Sequence, residues 1–225
     1  MRQLIWAGVI AVLFTTVART ATLSTAEIKR IQEAATVLRE INAAPDKGIP
    51  DDLWQKASCV VVVPSLKKAA FVFGGEYGKG LMSCRHAGAW SAPAYMLVGK
   101  GSWGLQIGAQ SIDLVLLVMN DSGMQKLLKN KTSLGAEASV AGGPVGRDAR
   151  AATDAQMKAE ILSYSRTQGL FAGVNLSGGV IKTDDDGNAD LYGANTSAEQ
   201  VVSSGNVTPP AVTEPFMRAL KRTMN

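Results

Sequence analysis

Glycine spacing constrains this chain more than any other feature. Between Phe71 and Met119 it reads FVFGGEYGKGLMSCRHAGAWSAPAYMLVGKGSWGLQIGAQSIDLVLLVM, short apolar runs broken every few residues by glycine. Phe71 and Phe73 share one side of an extended chain, as do Tyr95 with Leu97 and Leu105 with Ile107. A period of two indicates strands, and glycines among them indicate turns, bulges or close backbone approach. The stretch predicts sequentially connected, mostly antiparallel strands that end in the continuous apolar run 114–119. It presents no catalytic constellation.

Upstream, Ser24 and Glu27 stand three apart as a capping box, which starts a helix near Thr25. Ile28, Ile31, Ala35, Leu38 and Ile41 recur at helical spacing, and Pro45 closes the segment. The other face carries Glu27, Lys29, Arg30, Glu33, Arg39 and Glu40, three acids against three bases. Membrane-surface helices show a basic polar face, so this balance favours packing on the protein's own sheet. Pro50, Asp51 and Asp52 suit the first turn of a short helix running to about Ala57. Cys59 to Val63 is wholly apolar and lacks alternation, which predicts a strand buried on both faces and halted by Pro64.

Downstream, Asn120 or Asp121 caps a helix through Met124, Leu127 and Leu128. Leu134, Ala136, Ala138 and Val140 alternate as a half-buried strand, and an irregular loop from Gly142 to Asp148 follows. Residues 154–166 are ambiguous. Their composition favours helix, while Ile161 to Arg166 alternates like a strand. Leu170, Ala172, Val174 and Leu176 alternate again. Val180 and Ile181 lead to a turn at Asp184-Asp185-Asp186-Gly187-Asn188, consistent with a hairpin. A short helix over 196–202, a proline-containing linker and a last amphipathic helix with Phe216, Leu220 and Met224 on one side complete the chain.

Length and charge then bound the function. The 225 residues suffice for one substantial core, and nothing in the composition demands a second domain. Arg2 followed by an apolar run over 4–17 has the form of a secretory signal, with cleavage after Ala18 or Ala21. The competing reading, an uncleaved anchor, has to contend with a run shorter than the roughly 20 residues a span needs. Residues 1–21 are thus expected to be a signal peptide, and 22–225 one exported domain, periplasmic or secreted. Of 23 basic residues, Arg2 and Arg19 leave with the leader, so 21 face 19 acids and the net charge falls from +4 to +2. So weak an excess supports neither a nucleic-acid partner nor strong steering to anionic membranes. Cys59 and Cys84 permit a disulfide in an exported chain, or are two buried apolar strand residues.

Several motif matches fail on chemistry. Gly99-Lys100-Gly101-Ser102-Trp103-Gly104 fits GxGxxG, yet a strand pattern follows where a dinucleotide site needs a helix. It reads as a hairpin. Asp184, Asp186 and Gly187 resemble part of a calcium loop, but the register puts Lys182 first and Gly193 twelfth, where carboxylates are required. His86 is the sole histidine, and no acid is placed by sequence to orient it toward Ser91 or Ser102. Two cysteines and one histidine argue against a zinc site. No metal, cofactor or enzymatic activity is expected.

Trp90-Ser91-Ala92-Pro93 and Gly143-Pro144-Val145-Gly146-Arg147, with VFGGEYGKGL, GSWGLQIGAQ and YSRTQGLFAGVNLSGGVIKTD in this order, resemble the SYLF family of lipid-binding domains. The likeness runs from about Ser24 to the last helix. It implies a single α+β domain, a mostly antiparallel β meander or flattened barrel-like sheet with N-terminal, middle and C-terminal helices. It also favours strand for Ile161 to Arg166. Eukaryotic members of that family bind phosphoinositides, and some bind actin. This chain departs from them in its leader, its charge-balanced first helix and the lack of an SH3 domain, and exported relatives of this kind look bacterial.

The resemblance therefore implies a non-enzymatic, phospholipid-binding or envelope-associated domain, with a membrane surface or an envelope protein as partner. A protein-assembly module of the actin-binding type with no lipid role is the alternative. The bases expected at headgroups are Lys67, Lys68, Lys79, Arg85, Lys100 and Arg147, with Trp103 as an interfacial anchor.

Overall fold

The computed structural model describes residues 23–43, 48–70, 73–103, 108–129, 131–146, 156, 158–167 and 170–224. The expected signal peptide over residues 1–21, Pro45 and Arg147 lie outside these. Among the described residues, one α+β domain sets six helices about a curled, half-barrel sheet of up to ten strands. The strands are β1 (Cys59–Ala70), β2 (Phe73–His86), β3 (Ala89–Trp90), β4 (Ala94–Trp103), β5 (Gly108–Val118), β6 (Thr132–Ser133), β7 (Val140–Gly142), β8 (Ile161–Thr167), β9 (Leu170–Gly173) and β10 (Gly179–Thr183). Their order across the sheet is β6-β10-β4-β2-β1-β5-β8-β7, with β3 on β2 and β9 on β8. Only β7 with β8 is parallel among the named pairs.

The helices are α1 (Thr25–Asn42), α2 (Asp51–Lys56), α3 (Asp121–Leu127), α4 (Asp185–Tyr192), α5 (Ala198–Ser203) and α6 (Glu214–Lys221). The capping box that starts α1 is formed: the Ser24 hydroxyl accepts from the Glu27 N–H, and Glu27 accepts from the Ser24 N–H. Asn120 likewise accepts from the Gly123 N–H at the start of α3.

Two apolar layers follow from strand alternation. Val60, Val62, Leu81, Tyr95, Val115, Leu117, Leu162 and Tyr164 face α1 and α6, meeting Ile31, Leu38, Phe216 and Leu220. The intervening residues, Val61, Val63, Met82, Met96, Leu114, Leu116 and Ile161, face α3 and α5. Cys59 to Val63 is accordingly buried on both faces, as its unbroken apolar run requires.

Five expectations need correcting. Pro64 does not halt β1. A bulge there absorbs the missing donor, Ser65 turns to a φ of +53°, and its N–H is taken by the Asp113 carboxylate at 3.0 Å. The GKGSWG segment is not a β4–β5 hairpin, because β2 and β1 stand between those strands. Leu134 and Ala138 face each other across a tight turn rather than along a strand, with Gly135 at a φ of +87° and Glu137 accepting from the Ser133 N–H. After β10 the acids open α4 instead of a hairpin turn, where Asp185 and Asp186 meet the positive end of the helix. In β9 the parity is reversed as well. Phe171 enters the core, under the Arg166 guanidinium, while Leu170 stays 63% exposed.

Candidate functional site

Beyond the helix-covered core, β1, β2, β4 and β5 continue together as a sheet extension. Small residues are in register along it: Ala69 faces Gly75 and Ala109, Ala70 faces Gly74 and Gly108, and Gly75 faces Gly101. At the base of the extension Lys67 is the direct cross-strand partner of Tyr77, which in turn faces Gly99. Paired residues project from the same face of a sheet. Lys67 is exposed and Tyr77 is 55% exposed, one of two large hydrophobic side chains so placed among the described residues. In the next row Glu76 is in register with Lys68 on one neighbouring strand and with Lys100 on the other, and Glu76 and Lys100 project from the opposite face. The Lys100 ammonium lies 3.4 Å from the Asn175 carbonyl.

The seven expected contact residues thus separate. Lys67, Lys68, Lys100 and Trp103 fall on the extension, with Trp103 in register with Phe73. Lys79 is committed elsewhere: its ammonium stands 2.6 Å from the buried Asp184 carboxylate ahead of α4. Arg85 is likewise occupied. It donates to the Trp54 carbonyl at 3.1 Å and lies 4.6 Å over the Trp90 ring, tying β2 to α2 and β3. Arg147 is outside the described residues. Cys59 and Cys84 are direct partners in the β1–β2 ladder and are joined by a disulfide.

Two further ionic groups hold the scaffold. Arg166 on β8 bridges Asp113 on β5 and Glu40 on α1, which fixes the helical layer to the sheet. Glu160 accepts from Lys126 at 2.7 Å, from the Ser122 hydroxyl and from the Ser139 N–H. Burial acts to raise its pKa, but these donors outweigh it and hold the carboxyl at about 2. Both groups make local structural contacts. Among the described residues no three His, Cys, Asp or Glu side chains gather as a metal site. No described helix is long and apolar enough to cross a membrane.

Sequence reading missed Tyr77, because its exposure depends on which strands flank it. It also missed a pocket between α1 and α6 lined by Arg39, Glu214, Pro215, Arg218, Ala219 and Arg222. Arg39 and Arg218 lie 179 residues apart in sequence, and only helix packing brings them together.

Residues 99–223 match the sequence model of the Ysc84 family, described as Las17-binding protein actin regulator. Similar proteins include an SH3 domain-containing protein of Schizosaccharomyces pombe, 37% identical over 176 residues, covering 76% of this chain and 40% of that protein. LAS seventeen-binding protein 3 of Saccharomyces cerevisiae is 34% identical over 181 residues, covering 78% of this chain and 39% of its own. SH3 domain-containing YSC84-like protein 1 of Homo sapiens is 30% identical over 196 residues, covering 84% and 57%. The chain therefore spans between 39% and 57% of the length of these relatives. With more than half of its residues matched by the family model and the expected α+β sheet in place, the chain belongs to the Ysc84 family.

Proposed function

We propose that this is a non-enzymatic domain that docks on phospholipid surfaces through the sheet extension, as an exported, envelope-associated protein. The exposed Lys67–Tyr77 pair carries the reading. An amphipathic ring beside an ammonium suits a membrane interface, where the ring body is apolar and the hydroxyl and charge are wet. Lys100 lies on the opposite face, in register with Glu76, and is a second cation of the extension. Export is supported by the signal-like leader and by the Cys59–Cys84 bridge, since disulfides persist in oxidising compartments.

Flotation with phosphatidylglycerol and phosphatidylcholine vesicles tests the proposal. Each base near an anionic surface contributes about 1 kcal/mol, so Lys67→Ala with Lys100→Ala should weaken binding to the anionic vesicles by roughly 30-fold. Binding should also fall as salt rises. Equal binding by variant and parent, or none to either vesicle, rejects the reading.

A second reading has its own support: the family description and a yeast relative's name refer to Las17 binding. In that case a protein partner occupies an exposed edge, and β9, with Leu170 facing outward, is the edge that fits. Cosedimentation with purified actin filaments, lost on Leu170→Lys and unaffected by the lysine substitutions, would favour this second reading.

A further inference from the structure

The pocket between α1 and α6 has a charge pattern that neither the fold nor the docking surface uses. Three guanidiniums, Arg39, Arg218 and Arg222, line a space of about 190 Å³ that holds a single carboxylate, Glu214. That carboxylate is taken: Arg218 donates to it from Nε at 2.7 Å and from Nη2 at 2.5 Å. Glu40, the neighbouring acid on α1, is turned to Arg166. Among the described residues Arg39 and Arg222 therefore have no carboxylate partner. The Arg39 fork is nonetheless oriented, because its Nη2 donates to the Thr36 hydroxyl at 2.7 Å. That hydroxyl is itself anchored on the Gln32 carbonyl at 3.0 Å. Two lining residues, Pro215 and the buried Ala219, bring no side-chain acceptor into the pocket.

We infer that this pocket is a binding site for a phosphomonoester, held between Arg39 and Arg222 with Arg218 as the third guanidinium. Three cations against one carboxylate leave an excess of two, which matches the charge of about −1.5 to −2 that a phosphomonoester carries at neutral pH. A phosphodiester carries only one. Planar guanidiniums match phosphate oxygens in pairs, which an ammonium does not. At 190 Å³ the space is below the roughly 300–1,000 Å³ of pockets that enclose a whole drug-sized ligand. It suits a phosphate and its first few attached atoms. Such a group comes either from a free phosphorylated metabolite or from the headgroup of a phosphatidate-type lipid.

The site shares no residue with the sheet extension, so the two proposals fail separately. The test uses the full chain and two probes. One is inorganic phosphate, followed by isothermal titration against a chloride background of equal ionic strength. The other is phosphatidylcholine vesicles with and without phosphatidic acid, followed by flotation. Arg39→Gln with Arg222→Gln should weaken binding of whichever probe binds by about tenfold or more for each arginine. The same variant should leave binding to phosphatidylglycerol vesicles, which offer only diesters, unchanged. Lys67→Ala should leave the phosphate titration unchanged. Phosphate binding identifies a free ligand, and binding only to phosphatidic acid identifies the lipid headgroup. Failure of both probes overturns the inference, as does undiminished binding by the variant with its parent's thermal stability. A variant that unfolds is replaced by Arg39→Lys with Arg222→Lys, which keeps the charge and should still weaken binding several-fold; undiminished binding by this variant overturns the inference.

Discussion

The Cys59–Cys84 bridge offers the sharpest quantitative check on the fold. It closes a loop of 25 residues between directly paired strands, at the point where β1 is buried on both faces. Restricting an unfolded chain by a loop of that size contributes about 3.5 kcal/mol in the chain-entropy treatment. Both cysteines are at most 1% exposed, so truncation to alanine also leaves part of two sulfur volumes unfilled among Val61, Met82 and Val118. Cys59→Ala with Cys84→Ala should therefore lose about 3.5 kcal/mol or more. For a domain of this size that lowers the melting temperature by about 7–14 °C. Calorimetry of the parent, the double variant and the parent held under a strong phosphine reductant is the assay. The reduced parent should melt close to the double variant, since both lack the cross-link. Two free thiols titrated in the unfolded, unreduced protein would refute the bridge itself. A double variant melting within about 2 °C of the oxidised parent would refute the entropic reasoning.

Other perturbations probe the packing around the sheet. Glu160 has its pKa lowered from 4.5 to about 2 on folding, so its contribution is present above pH 4.5 and lost as pH falls toward 2. Glu160→Gln should cost about 2 kcal/mol at pH 7 after allowance for screening, and should flatten the stability profile between pH 4.5 and 2; parallel urea-denaturation profiles would count against this. A Cβ at Gly143 would fall 2.0 Å from the buried Tyr164 ring, so Gly143→Ala should destabilise by about 1–3 kcal/mol in the same assay. Tyr164→Phe removes a buried hydroxyl with no partner among the described residues and should be close to neutral, or stabilising.

How much of this was legible in the sequence depended on the range of the forces involved. The capping box at Ser24 and Glu27 and the Asn120 cap are satisfied by residues three apart, and local sequence suffices to find them. The unbroken apolar run from Cys59 to Val63 reports burial on both faces for the same reason. Asp184 to Asn188 misled because turn chemistry and a helix's first turn favour the same acids. Tertiary contacts decide between them: Asn188 is fully buried and bonds both the N–H and the carbonyl of Tyr95. Leu170 misled because alternation gives a period but not a phase, and Phe171 has the larger surface to bury.

The candidate site turns on the same question of phase, decided at one residue. Val63 faces the layer that contains α3 and α5, and a regular strand would send residue 67 to that side too. The bulge at Pro64 and Ser65 inserts one extra residue in β1 against both neighbours. Leu66 then takes the inward position, and Lys67 emerges on the opposite face beside Tyr77. That bulge is held open by Asp113, which also anchors Arg166 and, through it, α1. The pairing of a cation with an exposed ring is thus a consequence of a carboxylate 48 residues away, accepting one N–H that proline's strand position left without a ladder partner. No window of sequence contains both ends of that dependence.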